Sequence, residues 1–216
     1  MDWAGRTLLA VAGVIGVATV LLAGAVAFGT AAPPPVMASV TDRMRQVDFS
    51  DEPPFEAFRA RDRELLHDRA YHPQGTRVVV LIHGAAGTSS MTHVLASGLA
   101  AAGFAVYVPV LRGHGVDGRI GDIDYPGQLD DDLADLAQVI RRAHPQGGIS
   151  MVGYSRGGGF ALRIAEGRYG GLFCRYVLLA PNLRYDARTQ PPLPGLGHTD
   201  LVTRPEAVPA VLAALQ

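Results

Sequence analysis

The sequence predicts an α/β protein, a mostly parallel sheet with helices on both faces, preceded by one long hydrophobic N-terminal helix. Three observations carry this prediction. From Arg77 onward, short apolar strand-like runs alternate with segments of helical spacing, the pattern of a parallel sheet crossed over by helices. The run Val78-Val79-Val80-Leu81-Ile82 is apolar throughout, as a strand buried on both faces must be. Thr7 to Ala32 carries no charge over 26 residues, longer than the roughly 20 residues needed to cross a bilayer.

Taken in order, Thr7–Ala32 would span about 39 Å as a helix. A signal peptide has a shorter apolar centre of about 7–15 residues, although Ala25, Ala27, Thr30 and Ala32 offer the small side chains of a cleavage site. The expectation is a single-pass membrane anchor. Arg6 on one side and Arg43 and Arg45 on the other nearly balance, and the domain is expected outside the cytoplasm. The organisation expected is an anchor or signal segment over residues 1–32, a proline-rich linker over 33–54 and one domain over 55–216.

Phe55 to Tyr71 reads as a strand pair at the sheet edge. Strands follow at Val78–Ile82, Phe104–Val110, Ile149–Tyr154 and Arg175–Ala180. Helices are predicted over Ser89–Ala102, Tyr125–Ala143 and Phe160–Arg168, with a last amphipathic helix over Arg204–Leu215. Leu129, Leu133, Leu136, Val139 and Ile140 give the second of these its 3–4 spacing. Parallel sheets of this kind place function at the carboxyl ends of their strands.

Composition narrows the chemistry. The formal net charge is −1, which gives no electrostatic footprint for nucleic acid. All 19 basic residues are Arg, so a Ser–Lys dyad, a Schiff base and a phosphate-loop lysine are impossible. Cys174 is the only cysteine, which excludes an intramolecular disulfide and a Cys-rich zinc site.

The strongest chemical signal is Gly153-Tyr154-Ser155-Arg156-Gly157, set between an apolar strand and a helix that begins in glycines. A nucleophilic Ser must stand clear of the sheet on a sharp turn, and glycines two before and two after permit it. The serine then faces a helix N-terminus, which favours developing negative charge. His83-Gly84-Ala85-Ala86-Gly87 follows the strand Val78–Ile82. Acyl transfer needs two backbone donors for the oxyanion, expected from Ala85 and from Arg156, the residue after the nucleophile. His83 is expected to shape its loop. Arg112-Gly113-His114-Gly115 forms a tight loop at the end of the next strand, ordered by His114. A serine needs a base, and His198 is the one histidine downstream of Ser155, in the order serine, acid, histidine. Glu166, Asp186, Asp200 and Glu206 are the downstream carboxylates. Asp186, after the strand Arg175–Ala180, is the candidate acid.

The four segments Val80-Leu81-Ile82-His83-Gly84, Leu111-Arg112-Gly113-His114-Gly115, Gly121-Asp122-Ile123-Asp124-Tyr125 and Gly153-Tyr154-Ser155-Arg156-Gly157 together resemble α/β-hydrolases of the serine aminopeptidase S33, or lysophospholipase-like, group. Tyr176-Val177-Leu178-Leu179-Ala180-Pro181 is similar to the strand after that group's elbow helix. The resemblance implies a lipase- or carboxylesterase-like serine hydrolase acting on a small-molecule or lipid ester. Ser155 would attack and His198 relay the proton, with no cofactor or metal. Relatives insert a cap and a further strand, which delivers the triad acid, where this chain has only the stretch from Asp186 to Gly197. The fold is therefore expected to be truncated, incomplete between about residues 187 and 194, as from an internal deletion near Gln190–Pro191. Loss of the acid costs around 10⁴ in kcat in known triads. The competing expectation is an inactive hydrolase-fold remnant serving as a membrane-tethered binding or scaffold protein.

Overall fold

The computed structural model describes residues 3–28, 43–85, 87–115, 121, 123–182 and 200–216. The chain divides into two compact units, Met1–Ala38 and Ser39–Gln216. The first contains helix α1, Trp3–Phe28, in which Val11 to Ala23 lie exposed. Among the described residues no helix is long and apolar enough to cross a membrane.

Among the described residues the second unit is built on a six-stranded sheet in the order β1-β2-β4-β3-β5-β6. The strands are β1 Glu56–Arg59, β2 Leu65–Tyr71, β3 Arg77–Ile82, β4 Phe104–Pro109, β5 Ile149–Tyr154 and β6 Arg175–Leu179. β1 and β2 form the antiparallel edge, β2 pairs antiparallel with β4, and the other pairs are parallel. Helices among the described residues of this unit include α2 His93–Ala101, α3 Gln128–Ala143, α4 Arg156–Glu166, α5 Asp200–Thr203 and α6 Val208–Ala214.

Alternation along the strands sorts the core into two layers. Val79 and Leu81 of β3 join Val106 and Val108 of β4 on one face, under Leu95 and Leu99 of α2 and Val211 of α6. Val78, Val80 and Ile82 face the opposite way, with Leu133, Leu136 and Ile140 of α3 and Phe160 and Ile164 of α4. Helices thus cover both faces, and β3, β4 and β5 are buried almost throughout. β6 is less covered. Tyr176 and Leu178 remain half-buried, and β6 is the outermost strand of the described sheet on that side.

Three expectations differ from the structure. The second predicted helix starts at Gln128, not Tyr125, because Gly127 takes a left-handed φ of 94° that a helix cannot contain. The final helix is broken. A short α5 is followed by a 3₁₀ turn at Pro205–Ala207 and then by α6. Pro205 and Pro209 lack amide protons, so each sits in a first turn where no such proton is needed. Part of the stretch read as a linker over residues 33–54 is described, from Arg43, and that part packs on the domain. His93 Nε2 pairs with Asp51 Oδ1 at 3.0 Å while its Nδ1 meets the Tyr71 hydroxyl at 3.0 Å. Arg69 pairs with Glu52 at 3.0 Å, bonds Pro53 O and lies over the Phe55 ring. The predicted gap around residues 187–194 lies outside the described residues.

Asp68 on β2 is buried against the carboxylate of Glu56, its cross-strand partner. Burial first, and the Glu56 charge second, push its pKa from 3.8 up to about 7. The folded chain therefore holds this proton where the unfolded chain releases it. The stabilisation is complete below about pH 4 and fades as pH rises through about 7. Asp68→Asn, which cannot ionise, is expected to be more stable than wild type at pH 8 by roughly 2–4 kcal/mol and to show a flatter pH profile. Thermal unfolding from pH 5 to pH 8 checks this; parallel profiles for the two proteins would reject it.

Candidate active site

The register of the sheet brings two loops together. Ile82 at the end of β3 lies beside Gly153 of β5, and Tyr154 at the end of β5 lies beside Leu179 of β6. The chain then turns at Ser155 straight into α4. Ser155 has φ 55° and ψ −117°, outside the regions that a side chain favours. Such a conformation costs on the order of 1–3 kcal/mol and persists only where the surroundings enforce it. Here four hydrogen bonds do so. Ser155 N–H donates to Leu179 O at 2.9 Å, and Ser155 O accepts from Gly158, Gly159 and Asn182 amides at 3.0, 3.2 and 2.8 Å.

The flanking glycines are demanded by close approach. A Cβ on Gly153 would stand 2.3 Å from Gly157 O, and one on Gly157 would stand 2.4 Å from His83 O and 2.6 Å from Ile82 O. The elbow is thus folded tightly on itself and pressed against the end of β3. The Ser155 hydroxyl makes no capping bond to its own helix, and whereas the Gly158 and Gly159 amides donate to Ser155 O, those of Arg156 and Gly157 have no acceptor within the helix. Ser155 is half-buried and Arg156 is exposed. Gly84 stands beside the serine, a Cβ there falling 3.4 Å from Ser155 Cβ. Ala85 follows it on the exposed side of the loop. The sequence-predicted Ser155, Ala85 and Arg156 are therefore neighbours by topology. His198 and Asp186 lie outside the described residues.

His83 is fully buried, and both ring nitrogens are engaged. Nδ1 lies 2.8 Å from Gly84 O, and Nε2 accepts Leu111 N–H at 3.2 Å. Burial lowers its pKa to about 4, so the ring is neutral at pH 7. His114 packs edge-on against it with centroids 4.9 Å apart and reaches Arg112 O at 3.3 Å through Nδ1. Both histidines order loops, as the sequence suggested.

Sequence reasoning placed Arg112 in its loop but missed its ion pairs. Its guanidinium is buried and forms a bidentate pair with Asp132 of α3, both contacts at 2.8 Å, and a third contact to Asp62 Oδ2 at 2.8 Å. The Asp132 hydrogen bonds, the largest influence, hold it more firmly protonated. Gln128 Nε2 in turn donates to Asp62 and to Asp124, each at 3.1 Å. The signal available was a lone Arg in an apolar strand end with several acidic residues in the following helix. Nothing in the spacing singles out Asp132 among Asp130, Asp131 and Asp132.

The profile of the serine aminopeptidase S33 family matches residues 73–204. Among curated proteins none matches the sequence significantly. Similar solved structures include an esterase of Pyrococcus furiosus at 18% identity and TM-score 0.51, covering 60% of this chain and 51% of that one. A thermostable carboxyl esterase of Bacillus coagulans, solved with glycerol, is similar at 21% identity and TM-score 0.51, covering 57% and 42%. The thioesterase domain of the curacin biosynthetic pathway is similar at 24% identity and TM-score 0.50, covering 63% and 47%. The matched parts amount to about half the length of these structures. With the family profile spanning more than half the chain, on the sheet order and the elbow just described, this protein belongs to the serine aminopeptidase S33 family of α/β-hydrolases.

Proposed function

We propose that the protein is a serine hydrolase that cleaves carboxylic esters through an acyl-enzyme on Ser155. One observation carries the reading: the strained backbone of Ser155 at the junction of β5 and α4, with the loop after β3 alongside. In the proposed reaction His198 takes the Ser155 hydroxyl proton as the oxygen attacks the ester carbon. The carbonyl π electrons move to oxygen, which the amides of Ala85 and Arg156 receive. The intermediate collapses, the C–O bond to the alcohol breaks, and His198 returns the proton to the leaving oxygen. Water, activated by the same histidine, then hydrolyses the acyl-enzyme. Asp186 is the carboxylate proposed to orient His198. The short connection between β6 and α5, residues 180–199, supports a weakened enzyme, because it stands where the resemblance expects the segment that brings the acid.

That connection also favours a second reading, a hydrolase-fold scaffold without turnover. Fluorophosphonate labelling separates the two. Wild type is expected to label and Ser155→Ala to lose labelling completely; equal labelling of both would remove Ser155 from the chemistry. A folded wild type that never labels would support the scaffold. In a short-chain ester assay His198→Ala is expected to lower kcat by at least about 10³, and an unchanged rate would exclude His198 as the base.

We further propose that α1 tethers the domain to a membrane, with the domain outside the cytoplasm. The support is the sequence alone: Thr7 to Ala32 runs 26 residues without a charge, against the roughly 20 that a bilayer core requires. The full chain is expected to stay with membranes after alkaline carbonate washing, and deletion of residues 1–38 to release it. Release of the intact full chain by carbonate would refute the tether, and a mature N-terminus near Ala32 would show a cleaved signal instead.

A further inference from the structure

The loops after β3 and β4 are joined through His83, and the join reaches the amide proposed for the oxyanion. His83 Nδ1 lies 2.8 Å from Gly84 O. A carbonyl oxygen only accepts, so Nδ1 carries the proton and Nε2 is the acceptor of Leu111 N–H at 3.2 Å. These two bonds select one neutral tautomer. Gly84 C=O belongs to the same planar peptide as Ala85 N–H. In a trans peptide the two point in opposite directions, so fixing the carbonyl aims the amide.

The far end of the join is Arg112, next in sequence to Leu111. Asp132 from α3 and Asp62 from the β1–β2 turn grip its guanidinium from two elements. Its own carbonyl takes His114 Nδ1 at 3.3 Å, and the His114 ring walls His83. The loop that presents Leu111 N–H is therefore fastened through Arg112 to α3 and the β1–β2 turn, and its His114 packs on His83.

We propose that His83 is a positioning residue that aims the Ala85 amide at the oxyanion, and that the Asp132–Arg112–Asp62 clamp keeps His83 in the tautomer this requires. The proposal rests on the acyl-transfer reading of Ser155. A histidine that merely fills the core would affect stability; this one also sets a transition-state donor.

The test uses the full chain in detergent. In long-range ¹H–¹⁵N spectra of ¹⁵N-histidine-labelled protein at pH 7, His83, assigned by its loss in His83→Gln, is expected to show a protonated Nδ1 and a bare Nε2. Arg112→Gln is expected to give tautomer-averaged shifts. In hydrolysis of p-nitrophenyl butyrate, His83→Leu is expected to lower kcat about 10–100-fold with KM within about twofold, the mark of a contact made only in the transition state. His83→Gln, whose amide can donate to Gly84 O and accept from Leu111 N–H, is expected to restore most of that loss. A protonated Nε2 in wild type overturns the proposal. So does Ser155-dependent turnover in which His83→Leu retains kcat or changes KM alone. If His83→Leu fails to fold, the tautomer spectra and the kcat of folded Arg112→Gln decide in the same way. If wild type and Ser155→Ala are equally inert toward ester and fluorophosphonate, the acyl-transfer reading itself fails and takes the proposal with it. The expected tautomer would then mark a loop histidine without a reaction to serve.

Discussion

The peptide on either side of Ser155 is the constraint around which the rest of the site is arranged. A φ of 55° with ψ of −117° has no intrinsic stability in a residue with a Cβ. It survives because Leu179 at the end of β6 and Asn182 beyond it hold the serine amide and carbonyl from one side. The end of β3 presses on Gly157 from the other. Three neighbouring parallel strands, β3, β5 and β6, must therefore be in register before the serine can stand where it does. The strain is local, but its support is the whole centre of the sheet.

This dependence explains the two glycines and the tied polar groups around the elbow. Backbones approach so closely there that side chains are excluded at Gly153 and Gly157. The polar groups that remain are tied to one another: His83 to Gly84 and Leu111, Arg112 to Asp132 and Asp62, Gln128 to Asp62 and Asp124. A buried charge is costly without partners, and a bidentate guanidinium–carboxylate pair is the arrangement that repays its desolvation best. The opposite case is Asp68, buried without such a partner and held near neutrality by its surroundings. It lies on the antiparallel side of the sheet, away from the elbow.

Edges set the other boundary of the fold. On the β1 side the sheet ends in a short strand of mostly exposed residues, which limits pairing with other chains. On the β6 side the described sheet ends in a strand that still carries Val177, Leu178 and Leu179. The N-terminal stretch from Arg43 to Pro54 adds cover over α2 and β2 through His93, Tyr71 and Arg69.

The sequence by itself determined the strand–helix alternation, the burial of β3, β4 and β5 and the elbow at Ser155. Each of these is written in contiguous residues: an unbroken apolar run, a 3–4 spacing, a glycine two before and two after a serine. It also marked His83 and His114 as loop residues, because they follow apolar strands and precede glycines. Tertiary structure alone decided the strand order, the partner of Arg112 among three adjacent aspartates and the tautomer of His83. It also decided the docking of residues 43–54, which polar and proline-rich composition had made look like a free linker. Those features depend on groups brought together from distant positions. A sequence pattern fixes how a segment is built, whereas the direction of a hydrogen bond between segments exists only once the sheet has set them side by side.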